Sequence, residues 1–71
     1  MDGYEELANA IVISAVDDYR SARKILIREP DNVLAQAELD RCEKFFLSHW
    51  FATLSKVDGL WLLKELKNEV Q

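Results

Sequence analysis

Cys42 and His49 are the chain's single thiol and single imidazole. They are the minimum for thiol chemistry, or half of a metal site. They lie seven residues apart, with Glu38 four before the cysteine, so a continuous helix puts all three on one face. Two helical turns separate the pair by roughly 10 Å, beyond hydrogen-bond reach. A catalytic thiol also needs a lowered pKa and a cleft. A structural zinc site takes four ligands, usually Cys and His, and one of each does not supply them. The reading is a core thiol and a boundary imidazole, with no metal, no cofactor and no catalytic residue, so the chain is not expected to be an enzyme.

The carboxylates point the same way. Glu5-Glu6 and Asp17-Asp18 are adjacent in sequence, and neighbours on a helix face different directions, so neither is an acid–base dyad. Asp17 can reach Arg20 at i+3 as an ordinary solvated pair. Gly3 and Gly59 are isolated, which leaves no glycine-rich phosphate loop.

Two other groups of residues suit contact rather than catalysis. Arg20, Lys24 and Arg28 fall at i, i+4 and i+8 with Arg23 beside them, a stripe fit for phosphates or an acidic partner. Its plainer role is to complement a helix dipole near the C-terminus and to pair with Glu29 or Asp31. Phe45, Phe46, Trp50 and Phe51 crowd into seven residues, and Trp61 follows. Aromatic side chains dominate both core and interface energetics, and a small surface that leaves some of them out marks a contact site. The four-residue spacing makes Phe46 and Trp50 core. Phe45 or Phe51, with Trp61, are the expected exposed anchors. The candidate partner-binding residues are thus Phe45, Phe51, Trp61, Arg20, Lys24 and Arg28.

The elements that position these groups are helical. The chain has 71 residues, 49% apolar and 31% charged, with a formal net charge of −4. That balance is too apolar for disorder and long enough for one domain, 1–71. Two Gly and one Pro leave little turn material for a sheet. Ala8, Val12, Ala15, Tyr19, Ala22 and Leu26 alternate spacings of four and three, an apolar seam that predicts a helix from about Tyr4 to Arg28. Ile11, Val16 and Ile25 widen the stripe. Asp2 is a candidate cap with Glu5 as its capping-box partner. Pro30 ends the helix, and Asp31 or Asn32 caps the next one, with Ala35, Leu39, Cys42 and Phe46 on its seam and Leu34 and Phe45 flanking. That helix is expected from about Asn32 to Leu47, antiparallel to the first. Ser48 can cap a short helix from His49 to Leu54, and Asp58 a last one from Gly59 to about Glu69, carrying Leu60, Leu63, Leu66 and Val70 on one face with Trp61 and Leu62 beside them. Alternatively the second helix runs on through Ser48 and kinks only at Asp58-Gly59. The fold class is all-α: a long antiparallel helical hairpin with one or two short C-terminal helices packed across it.

The acidic start, Met1-Asp2-Gly3-Tyr4-Glu5-Glu6, lacks the basic region of a secretory signal. Asp2 stands where myristoylation needs glycine. No apolar run approaches a membrane span, and a lone cysteine suits a reducing compartment. The expected location is the cytoplasm. A helix-turn-helix over the last two segments has the right dimensions. Its second helix, however, opens with Asp58, Gly59, Leu60, Trp61 and Leu62, poor donors to base edges, and the net charge is negative, so nucleic acid is not the favoured partner.

Pro30-Asp31-Asn32, the run from Cys42 to Phe51 (Cys-Glu-Lys-Phe-Phe-Leu-Ser-His-Trp-Phe), Leu54, Asp58-Gly59, Leu62-Leu63 and Leu66 together resemble small uncharacterised proteins encoded by phages and mobile elements of Gram-positive bacteria. The resemblance implies a phage or prophage accessory protein acting in the bacterial cytoplasm. By class analogy it implies a stoichiometric inhibitor of a host nuclease or defence complex, of anti-CRISPR type. The expected function is a non-catalytic protein-binding module with a host or defence protein as partner. An acidic surface can occupy a site built for nucleic acid. The alternatives are a small helical DNA-binding regulator and a self-assembling structural component. Because the first seam continues to Ala8 and Val12, past the second helix's reach, either the last helix or a second chain must cover it. A homodimer through the first helix and the surplus aromatics is expected.

Overall fold

The four–three spacing from Ala8 to Leu26 becomes one unbroken helix, α1 (Asp2–Arg28, 27 residues). The computed structural model describes the backbone of residues 2–69 and the side chains of residues 6–69. Asp2 is already helical, so the cap expected at Asp2 precedes it and lies outside the described residues. At about 1.5 Å per residue α1 is roughly 40 Å long, and it runs the full long dimension of a molecule measuring 43 × 20 × 20 Å.

Glu29, Pro30, Asp31 and Asn32 form a turn closed by the Asn32 N–H donating to the Glu29 carbonyl at 3.0 Å. Pro30 sits at its second position, where a fixed φ favours the turn. Asn32 then accepts the Ala35 N–H on its side-chain oxygen at 2.9 Å and opens α2 (Val33–Phe46). α1 and α2 pack as the antiparallel hairpin, with Ala22 and Ala35 buried.

Ser48 makes the next break. Its hydroxyl donates to the Phe45 carbonyl at 2.7 Å and accepts the Phe51 N–H at 3.2 Å. One side chain thus closes α2 and caps α3 (His49–Leu54). Asp58 accepts from Leu60 N–H at 2.9 Å and Trp61 N–H at 3.5 Å, starting α4 (Gly59–Asn68). The separate α3 is observed, and α2 does not run on through Ser48. All regular structure among the described residues is helical.

The core is Tyr19, Cys42, Phe46, Phe51, Leu63 and Leu66, with Val12, Ala15, Val16, Leu39, Phe45 and Leu62 packed around it. Phe45, Phe46 and Phe51 form a triangle of rings with centroids 5.5 to 5.7 Å apart, and Tyr19 meets Phe46 edge-on at 6.2 Å. Tilted and T-shaped pairs of this kind add about 0.5–1.5 kcal/mol each beyond area burial.

Two expectations about the aromatics are corrected. Phe51 is 1% exposed and belongs to the core, whereas Trp50 is 60% exposed. The spacing that links Phe46 to Trp50 holds only along a continuous helix. The extended backbone of Ser48, φ −83° and ψ 160°, resets the phase and turns Phe51 inward in place of Trp50. Leu60 and Leu34, expected on or beside packed faces, are exposed. Leu62 packs against the core in place of Leu60. Val70 lies outside the described residues.

The seam needs no second chain. Ala8 is buried and Val12 packs against the core within one chain. α2, roughly 21 Å long by the same rise, is about half the length of α1, and α3 also packs on α1. The argument for a homodimer through α1 therefore loses its basis.

Phe51→Ala should cost about 3–5 kcal/mol, close to the whole net stability of a domain this small. Trp50→Ala should stay within about 0.5 kcal/mol of the parent, as exposed substitutions do. Urea unfolding of the two variants checks the order. A more damaging Trp50→Ala would refute the observed phase.

Candidate functional site

The structure separates Cys42 from His49. Cys42 is buried on the inner face of α2 and His49 is exposed at the start of α3. The turn at Leu47-Ser48 lies between them. Burial pushes the Cys42 thiol up to about 11, with the Glu38 carboxylate adding to the shift. Its sulfur lies 4.0 Å from Glu38 Oε1. Such a thiol carries almost no thiolate near neutrality, the reverse of an activated nucleophile. Among the described residues no three His, Cys, Asp or Glu side chains converge as a metal site would require.

The basic stripe is divided by the fold. Arg20 is engaged inside the chain: its Nε donates to Glu69 Oε1 at 3.0 Å and its Nη2 to Glu69 Oε2 at 2.6 Å. This fork-on-fork geometry suits a guanidinium and a carboxylate. The hydrogen bond from Arg20 holds the Glu69 carboxyl below its usual value. Arg23 donates to the Leu66 carbonyl, which also accepts the Glu69 N–H at the end of α4. Lys67 reaches back to Glu43 of α2 at 3.7 Å. The end of α4 is therefore fastened to both hairpin helices, and Arg20 is not offered to a partner as expected. Lys24 and Arg28 are exposed and make no ion pair among the described residues. The expected pairing of the stripe with Glu29 or Asp31 is not formed.

The aromatic candidates also divide. Trp61 is 55% exposed, as its placement outside the Leu63–Leu66 face predicts. Phe45 is half-buried against Phe46 and Phe51. Phe51, fully enclosed, is not a contact residue. Trp50, assigned to the core by spacing, joins Trp61 on the surface. The N-cap preference of Ser48 was the signal in the sequence that could have placed Trp50 outside.

An open groove of about 690 Å³ lies on the outer side of Phe46 and Phe51. The end of α2, α3, the 55–58 segment and the start of α4 enclose it. Phe46 and Phe51 form its floor, and Leu47, Val57 and Leu60 stand exposed on its walls. A second groove of about 340 Å³ lies between α1 and α2, with Ile25 and Leu34 as its large apolar residues and Asp18 and Glu38 as its charged ones. No helix of the described residues is long and apolar enough to cross a membrane.

No protein-family model, curated protein or solved structure matches this chain. The functional reading therefore rests on its own side chains.

Burial also raises the Tyr19 phenol, with the charge of Glu43 as the next cause. Both Tyr19 and Cys42 thus bind protons more tightly folded than unfolded. The stability they contribute is complete below about pH 8.5 and is lost as pH rises toward the folded Cys42 value of about 11. The melting temperature should fall across that interval, and a flat profile would contradict the burial of both groups. At pH 8 the folded thiol should react with a disulfide reagent roughly 100-fold more slowly than the urea-unfolded chain. Equal rates would mean an accessible, ionisable Cys42.

Proposed function

We propose that this chain is a non-catalytic protein-binding module that engages its partner through exposed tryptophan. One observation carries the reading. Trp50 and Trp61 are each more than half exposed, while Tyr19, Phe46 and Phe51 fill the core. An indole offers a large apolar face with a polar tip, and tryptophan is among the residues most enriched in interface hot spots. Phe45, half-buried at the edge of the ring cluster, and the exposed cations Lys24 and Arg28 are the remaining contact candidates. The chemistry of the groups agrees: the only thiol is buried and protonated. The finer reading, a stoichiometric inhibitor of a host nuclease or defence complex in a bacterial cytoplasm, draws on the sequence resemblance to phage and mobile-element proteins.

Both indoles should emit as solvent-exposed tryptophan in the folded protein, with little red shift on unfolding and ready quenching by acrylamide. The Trp50→Ala and Trp61→Ala variants should keep the parent's melting temperature and lose the partner captured by the parent. Retention of that partner by the double variant would overturn the reading. So would tight binding to duplex DNA that weakens steeply with salt, which is the behaviour of a DNA-binding regulator.

A further inference from the structure

The groove at the α2–α3–α4 junction has features that the tryptophans do not explain. Its walls expose Leu47, Val57 and Leu60 by 59%, 44% and 51%. Lys56 and Asp58 flank Val57 on its rim, and neither makes an ion pair among the described residues. Trp50 and Trp61 do not line it.

We propose that the rim of this groove is the contact surface of a two-fold homodimer, packed against the same rim of a second copy of this chain. Charge selects that occupant. Lys56-Val57-Asp58 is its own complement when read antiparallel. A two-fold axis near Val57 sets Lys56 against Asp58 of the second copy and repeats the pair on the other side, with the two Val57 side chains between them. An isologous contact needs a patch that is complementary to itself in this way. Asp58 Oδ1 already accepts the Leu60 and Trp61 N–H groups, which leaves Oδ2 for the cross-dimer lysine. The groove between α1 and α2 lacks this property, because the same operation would set Asp18 and Glu38 against their own copies.

A domain with so small a core gains from covering exposed apolar side chains such as Leu47, Val57 and Leu60.

Sedimentation equilibrium of the full chain across the micromolar range is the test. The mass should rise from 8.2 kDa to twice that value with concentration. Lys56→Glu, an exposed substitution, should raise the dissociation constant at least about tenfold. Asp58→Asn keeps the helix cap, since Asn caps as well as Asp, and should also weaken the dimer. Leu60→Lys should do so by desolvation. Circular dichroism of each variant verifies that it is folded. Two results would overturn the proposal. One is an 8.2 kDa species at every concentration. The other is a dimer indifferent to all three folded variants, which would form elsewhere. Neither result touches the tryptophan reading, whose variants lie outside the groove.

Discussion

The fourth helix can reach the core only because residue 59 has no side chain. Gly59 begins α4 directly against the last residue of α2. A Cβ built there would overlap the Phe46 carbonyl oxygen, lie 2.9 Å from the carbonyl carbon and come within 3.2 Å of Phe51 Cδ2. The obstacle is backbone, which cannot swing aside as a flexible side chain would. No glycine among the described residues has a positive φ, so the role of Gly59 is close approach and not backbone freedom. From that starting point one turn of helix brings Leu63, and the next Leu66, against Tyr19, Cys42, Phe46 and Phe51. The far end is then fastened by Arg20, Arg23 and Lys67. Exposed ion pairs contribute little singly. These position an element whose apolar face provides most of the stabilisation.

Much of this was legible in residue types. Pro30, Asn32, Ser48 and Asp58 marked the helix boundaries because each satisfies, or forgoes, a particular backbone hydrogen bond. The seam from Ala8 to Leu26 marked the buried face of α1 because helical period and apolar spacing coincide. What failed was phase across a break. Residues 46 and 50 share a face only if the helix continues, and the Ser48 hydroxyl ends it, which exchanged the places of Trp50 and Phe51. Long-range polar pairing was equally hidden. Arg20 and Glu69 are 49 residues apart, and no local pattern chooses between Glu29, Asp31 and Glu69 as the partner. Gly59 read only as the start of the last helix or as a kink, because close approach depends on an element that the sequence does not place. Of the expected contact residues, Trp61 proved exposed, Phe51 buried and Arg20 engaged.

The division of the aromatics links fold to function. Three rings and a tyrosine suffice to close a small core, so two indoles remain outside it. The thiol sits among the core residues, held protonated by burial. The charged groups that look reactive in the sequence instead fasten α4 or lie solvated. The surface facing outward is apolar at Trp50, Trp61 and the groove walls. α3 and α4 carry both tryptophans and part of the groove, so the junction at residue 59 governs the placement of the exposed tryptophans as well as the core.

Thermal unfolding of Gly59→Ala tests that dependence most directly. Intrinsic helix propensity alone favours alanine by up to about 1 kcal/mol. Overlap with the Phe46 carbonyl opposes it with roughly 1–3 kcal/mol of overpacking, or more when backbone must move. The account predicts a melting temperature lowered by about 5–15 °C, with α4 amide protons losing protection from exchange before those of α1. An unchanged or raised melting temperature would contradict it, because α4 would then not depend on the close approach at residue 59.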